Sequence, residues 1–308
     1  VTSDRRGDAE ATGLRVAIDF GISNTDAVAR AGDVLHRWTR PSRGSPDAAV
    51  VRDVLAAGGF ALADVARLAV TGGRHRALPA AVDGVPLASV HEVAAIGRGG
   101  QALGAHVRAG AAGDAGDAGD VPVFDATAHD VPTLVVSAGS GTAVIAARGD
   151  ACTHITGTGV GGGTLLGLGR LLLGTSDPHV IDALALAGDP NGADLSLQDV
   201  VLGPIGALPP DATAVNFGKL ARPAHDAARE DLAAALVTLV GQVIAITAIN
   251  AARAERLEHV VVIGHLTDLP SVRAVLDRVG EIYGMRLLLP PQGGYGTALG
   301  ALRALEVG

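Results

Sequence analysis

Apolar and turn-forming residues alternate along the chain with a period that changes from strand to helix and back. Leu14 to Phe20, LRVAIDF, is a short apolar run with an acid near its end, as in a buried strand. GISNTD (21–26) is turn chemistry, and AVARAG followed by DVLHRWT predicts two further strands of a meander. Ser45-Pro46-Asp47 announces a helix that ends on two glycines in VVRDVLAAGG. Residues 67–71 form a strand stopped by Gly72-Gly73, 86–90 are extended, and 90–103 form a helix with His91 and Glu92 at its start. Residues 133–136, 142–147 and 151–156 make a second meander, followed by a Gly-rich turn and the helical run TLLGLGRLLL. A helix over 178–187 comes next, and 188–222 read as irregular, rich in Gly, Pro and Asp.

From 230 to 253 the apolar positions Leu232, Leu236, Leu239, Val240, Val243, Ile244 and Ile246 keep near a 3.6-residue period with little charge. Such a helix is buried between layers or against a second subunit. A strand (259–263) ending at Gly264, a helix (272–279), a strand (285–289) and a helix (296–305) close the chain. Two meanders, each followed by helices and strands, imply two similar α/β halves with a cleft between them, 14–131 and 132–308. Residues 1–13 read as a disordered leader. The stretch 109–120, AGAAGDAGDAGD, lacks the length and closing Glu of a calcium loop and reads as a flexible, solvated loop.

Composition narrows the function. Hydrophobic residues reach 48% and aromatics only 2%, so the core is aliphatic and stacking on bases is poorly provided for. The formal charge of −8 argues against nucleic acid and against an anionic membrane surface as partners. The polar N-terminus lacks a signal-peptide core, and the apolar runs look interrupted well short of a membrane span, so the expectation is a cytoplasmic protein. Cys152 stands alone, which rules out an internal disulfide, and reads as a buried thiol rather than a nucleophile.

The candidate chemistry lies in turns. The stretch His154 to Gly169, HITGTGVGGGTLLGLG, leads glycines into a helix, where unpaired N–H groups and the positive dipole end suit a phosphate. The plain alternative is a tight packing turn. Asp19-Phe20-Gly21, Ser137 to Thr142, Gly161-Gly162-Gly163 and Gly264-His265 recur in order through both halves, offering in turn a carboxylate, hydroxyl and amide donors, a helix start and a late Gly turn. A nucleotide needs such parts. Glu92, at the mouth of a helix after an extended apolar run, suits a general base for a substrate hydroxyl, or simply a dipole-favoured helix acid.

Taken together, IDFG (18–21), VTGG (70–73), HEVAAIGRGGQALG (91–104), SAGSGTA (137–143), ITGTGVGGGTLLGLGRLL (155–172), GDPNGADL (188–195), AVNFGKL (214–220), VVIGH (261–265) and GGYGTALGAL (293–302) resemble the type II pantothenate kinase family. That family belongs to the actin, sugar-kinase and heat-shock-ATPase superfold, whose ribonuclease-H-like halves match the two expected here. The resemblance implies ATP-dependent phosphorylation of a primary hydroxyl on a small-molecule substrate such as pantothenate, the first step of coenzyme A biosynthesis. It further implies Mg²⁺, CoA thioesters as feedback ligands, and a homodimer built on the long helix. By position it implies Glu92 as catalytic base, Asp19 as the acid that places the metal, and Gly21, Ser23, Asn24 and Thr25 as the first phosphate loop. Ser140 and Gly141 fall in the second phosphate turn. Gly161, Gly162, Gly163 and Thr164 fall in the Gly-rich nucleotide segment, with Gly264 and His265 in the late turn. His154 and Thr158 fall where the family contacts substrate.

Three positions depart from the family. Asp26 stands where its first loop has a phosphate-contacting Lys, His154 where it has a substrate-contacting Arg, and Ala143 where many members have Ser. A histidine does not reproduce a bidentate guanidinium clamp. These departures keep open a second reading, a nucleotide- or acyl-CoA-binding regulatory protein without turnover.

Overall fold

A computed structural model describes residues 13–109, 131–201, 206, 208–222 and 225–307. The expected leader (but for Gly13) and the expected flexible loop (but for Ala109) lie outside the described residues.

Strand β1 (Leu14–Phe20) buries Val16, Ala17, Ile18 and Phe20. Strands β2 (Asn24–Ala31) and β3 (Val34–Pro41) fold back beside it as an antiparallel meander. Because β2 begins at Asn24, the turn is Gly21 to Ser23 only, which corrects the expectation of a turn through Asp26. Asn24, Thr25 and Asp26 pair with Pro41, Arg40 and Thr39, and the paired backbone outweighs the turn preference of Asn and Asp. Helix α1 (Ala48–Ala57) is capped by Asp47, whose side chain accepts from Val50 N at 2.9 Å. Its Val51, Val54 and Leu55 bury against Ile18, Phe20 and Leu68, with Trp38 Nε1 donating to the Val54 carbonyl at 2.8 Å.

Strand β4 (Val65–Thr71) returns parallel to β1, with Asp19 opposite Thr71. Beyond it, β5 (Ala81–Val82) and β6 (Val85–Ser89) form a short hairpin, β6 parallel to β4. Helix α2 (Glu92–Arg108) then runs a full turn past the expected end at Leu103.

The second half repeats the plan. Strands β7 (Thr133–Ala138), β8 (Thr142–Arg148) and β9 (Ala151–Thr158) form its meander. Helices α3 (Gly162–Leu173) and α4 (Pro178–Ala187) follow. Residues 188–222, expected to be irregular, hold a strand pair, β10 (Leu195–Ser196) with β11 (Thr213–Val215), and the one-turn helix α5 (Leu197–Val200). The organiser is Asp194, fully buried, which accepts from Phe217 N at 2.7 Å and from Thr213 Oγ1 at 3.0 Å. Lys219 locks the same knot by donating to the Asn191 carbonyl at 2.6 Å and pairing with Asp199 at 3.4 Å.

Helix α6 (Arg229–Glu255) is 27 residues long and packs on α4 and on α7 (Pro270–Ile282). By length and composition it could cross a membrane, which corrects the expectation that every apolar run stops short. Of its most apolar window, however, 67% lies buried in the fold, so it is a core helix. Strand β12 (His259–Ile263) is as expected. Of the strand expected over 285–289, only β13 (Leu287–Leu288) pairs, parallel to β12. Helix α8 (Gly296–Val307) ends the described chain.

The sheets have the orders β3-β2-β1-β4-β6-β5 and β13-β12-β7-β8-β9. Read from the meander inward, both run third, second, first and then the next strand of the sheet, β4 in one and β12 in the other. After that the first sheet adds the β6-β5 hairpin and the second adds β13, so the halves share the core of their topology. By contacts the chain forms two compact units. One comprises Val1–Val135, Ile145–His154 and Pro290–Gly308; the other comprises Val136–Val144 and Ile155–Leu289. Inside the first unit, α2 meets α8 at backbone distance. A Cβ on Gly99 would strike the Gly296 carbonyl, and one on Gly300 would strike that of Ala95. That close approach is why α2 runs through glycines without breaking.

Candidate functional site

In the first unit the predicted residues gather around the end of β4. Gly72 has φ +91°, and a Cβ there would collide with the Asp19 carboxylate and the Phe20 carbonyl. At Gly73, the next residue, a Cβ would lie 3.7 Å from Glu92 Oε2. One glycine turn thus lies against both Asp19, the predicted metal acid, and Glu92, the predicted base. The sequence pointed to VTGG only as a motif and gave this turn no role. The signal was there: a two-glycine stop directly after a buried strand.

Glu92 is the first residue of α2, after His91, whose Nδ1 accepts from Val93 N at 3.3 Å. Beside Asp19, Thr71 is fully buried, and its Oγ1 meets no hydrogen-bond partner among the described residues. Also among the described residues, no three His, Cys, Asp or Glu side chains cluster to hold a metal. Asp19 and Thr71 supply hard oxygens of the type that suits Mg²⁺, which keeps several waters and needs no full protein cage.

The loop Gly21 to Ser23 is exposed around Ile22, while Thr25 is buried with its hydroxyl 2.9 Å from Ser42 Oγ. Ser42 Oγ donates to the Gly21 carbonyl at 2.9 Å, so β3's end braces the loop. Asn24 opens β2, and Asp26 sits inside that strand, 5% exposed, accepting from Thr39 Oγ1 at 2.6 Å. Thr39 Oγ1 also lies 3.2 Å from the Tyr295 hydroxyl. The carboxylate found in place of the family's lysine is therefore tied into the sheet. Near Tyr295, burial pulls the Arg37 guanidinium below its usual range, with Tyr295 opposing.

His154 is exposed on β9, on the same strand face as Cys152. The Cys152 sulfur lies where a Cβ on Gly97 would sit, and Arg98 pairs with Asp150 at 3.4 Å. Cys152 is half-buried; burial pushes its thiol up, with Arg98 pulling down and Asp150 pushing up. A raised thiol is a poor nucleophile, in keeping with a packing role.

In the second unit three predicted turns converge. Gly162 N donates to the Gly139 carbonyl and Gly163 N to that of Ser140, each at 2.8 Å. A Cβ on Gly161 would overlap Gly141 and the Ser140 carbonyl. The expectation of unpaired amides at the start of α3 is thus corrected for Gly162 and Gly163, whose N–H groups bind the neighbouring turn. Thr164 Oγ1 donates to the Gly159 carbonyl at 3.1 Å, and Thr158 Oγ1 accepts from Val160 N at 3.1 Å. The third turn is Gly264, φ +106°, where a Cβ would strike Ala138 at the end of β7. His265 follows, paired with Asp268 at 2.9 Å. Gly264 thus stands to β7 as Gly72 stands to β1, a second sign of the internal repeat.

Comparison with known proteins bears on the family and the fold. A family model described as Fumble matches residues 117–302, well over half the chain. A type II pantothenate kinase of Oceanobacillus iheyensis is 31% identical over 170 residues, covering 55% of this chain and 63% of that protein. One from Staphylococcus haemolyticus is 30% identical over 171 residues, covering 55% and 64%. The matched stretch therefore spans less than two thirds of these curated relatives. Among solved structures, the activator of 2-hydroxyisocaproyl-CoA dehydratase from Clostridium difficile, with bound ADPNP, superposes with a TM-score of 0.60 at 14% identity, covering 96% of this chain and 95% of that one. A glucokinase of the ROK family from Streptomyces griseus, in complex with glucose and AMPPNP, gives 0.52 at 13% identity, covering 96% and 100%. These likenesses show the fold, that of the actin-like ATPases and sugar kinases.

Proposed function

The chain belongs to the Fumble family, and from that premise we propose that it transfers the γ-phosphoryl group of ATP to a primary hydroxyl of pantothenate or a close analogue. The observation that carries the reading is the Gly72-Gly73 turn, which lies against both Asp19 and Glu92.

In this mechanism Glu92 takes the proton from the substrate hydroxyl as the phosphoryl group moves in line. On this reading the Gly21 to Ser23 loop of the first unit, and the Ser140-Gly141 and Gly264-His265 turns of the second, offer the nucleotide backbone and hydroxyl donors. The Gly161 to Thr164 segment, whose Gly162 and Gly163 amides bind the neighbouring turn, braces them. Asp19, with the Thr71 hydroxyl beside it, is the place for Mg²⁺, which when bound offsets the charge of the phosphates. His154 and Thr158 contact the hydroxyl substrate. With the family's substrate-contacting Arg replaced by His154, the acceptor meets one fixed cation fewer, and with its phosphate-contacting Lys replaced by Asp26 the nucleotide does too.

The reading brings with it a homodimer and a cytoplasmic setting. The exposed apolar residues Leu171, Leu172, Val180, Leu186 and Val215 on the second unit support self-association. The test is a screen of pantothenate, pantetheine and related alcohols with Mg·ATP, scoring substrate-dependent ADP release. Asp26 and His154 also favour a second reading, a CoA-thioester-binding regulator without turnover. Calorimetry separates the two, since tight CoA binding without any phosphoryl transfer supports the regulator.

A further inference from the structure

His75 is 7% exposed and opens a short 3-10 turn three residues after Gly72. Its Nδ1 lies 2.5 Å from the Gly72 carbonyl oxygen and its Nε2 lies 2.9 Å from Ser89 Oγ. A carbonyl only accepts, so Nδ1 carries the hydrogen. In the neutral ring Nε2 then accepts from the Ser89 hydroxyl. The geometry fixes the tautomer.

Its two partners belong to different segments. Gly72 begins the turn that lies against Asp19 and Glu92. Ser89 ends β6, three residues before Glu92. Backbone bonds reinforce the bridge, Val90 N to the Val70 carbonyl at 2.9 Å and Leu78 N to the His75 carbonyl at 3.0 Å. The imidazole therefore spans the gap between the glycine turn and the lead into α2, with both ring nitrogens engaged. A buried imidazole must satisfy both ring nitrogens, whereas an aliphatic side chain would fill such a space with no polar atoms to satisfy; what the ring adds here is the pair of bonds to two separate segments.

We propose that His75 is a positioning residue for Glu92: it clamps the Gly72-Gly73 turn to the Ser89–Glu92 segment, so that the carboxylate is held over the turn. The proposal rests on the kinase reading for its kinetic consequence but not for its structural one. Ser89 is the outer half of the clamp. Displacing a base by about 1 Å costs roughly a hundredfold in rate without abolishing nucleotide binding.

The test compares the full-length chain with His75→Ala, His75→Asn and Ser89→Ala. Asparagine returns an N–H near the place of Nδ1 and keeps the bond to Gly72, whereas alanine removes both bonds. Phosphorylation of the best alcohol found in the screen is followed together with the side-chain carboxyl resonance of ¹³C-labelled Glu92 at one pH. For His75→Ala the expected result is a kcat lower by roughly ten- to a hundredfold, with KM for ATP within about twofold, and a displaced Glu92 resonance. His75→Asn recovers most of the kcat, and Ser89→Ala gives a smaller loss of the same pattern. If His75→Ala does not fold, Ser89→Ala carries the comparison, since its hydroxyl sits at an exposed strand end. Unchanged kcat together with an unmoved Glu92 resonance overturns the proposal. If the wild type phosphorylates no alcohol, the kinase reading fails. A displaced resonance then still supports the clamp, and an unmoved one overturns it.

Discussion

Asp26 shows how a single side chain changes meaning once its surroundings are known. By sequence it reverses the charge of a phosphate-binding lysine. In the fold its carboxylate is buried in β2 and bound to Thr39 at 2.6 Å. Asp26→Asn is therefore expected to lower the unfolding free energy by about 1.5–3 kcal/mol, the usual worth of a hydrogen bond to a charged group, read from urea denaturation. Asp26→Lys, which restores the family residue, should lower the melting temperature and leave ATP affinity no tighter. Tighter ATP binding in that variant would place position 26 at the phosphates. Cys152 is a second such residue. Because burial raises its thiol, it should react with a thiol reagent at neutral pH more slowly than a free cysteine. Both environments depend on partners far off in sequence, Thr39 for Asp26 and Gly97 for Cys152; the thiol's packing role was legible in the sequence, but the place of Asp26 was not.

At the scale of elements, strong periodicity read true and short-range turn chemistry did not. The long helix α6 and the meander strands were legible because each repeats one burial pattern over many residues. The start of β2 was not, since Asn24 to Asp26 carry turn residues that pairing with β3 overrides. The β10–β11 pair was missed because its stability comes from one buried carboxylate. Burial pushes Asp194 above the usual carboxylate range, against bonds from Phe217, Thr213 and Asn216 and the charge of Lys219. With the folded value above the unfolded one, the stability Asp194 contributes is fullest in acid and is lost as pH rises through the folded value. The stability difference between wild type and Asp194→Asn should accordingly shrink as pH rises above the ordinary carboxylate range. A difference that widens with pH would show the hydrogen bonds outweighing burial. In the other unit, the α2–α8 contact predicts that Gly99→Ala costs about 1–3 kcal/mol by overpacking, measured as a fall in melting temperature.

For the whole molecule, the twofold repetition was visible in the order of the two meanders, and the structure bears it out in strand orders that agree from each meander to the strand beside it and in the matched turns Gly72 and Gly264. The sequence also set most predicted site residues on turns, but it could not say which turns meet. The Gly139–Ser140 and Gly161–Gly163 turns bind each other, and Gly72-Gly73 gathers Asp19 and Glu92, contacts that only the folded backbone creates. Self-association belongs to this scale too. Sedimentation of the wild type should give a dimer, and Leu171→Asp with Leu186→Asp should give a folded monomer, while a wild-type monomer would remove the dimer from the account. The central claim is that Glu92 is the base of a small-molecule kinase, and the most direct measurement is alcohol-dependent ADP release by wild type and Glu92→Gln with Mg·ATP. The account predicts turnover by the wild type on pantothenate or a related alcohol and a loss of roughly a hundredfold or more in Glu92→Gln with the protein still folded. Equal turnover by the two proteins would contradict it.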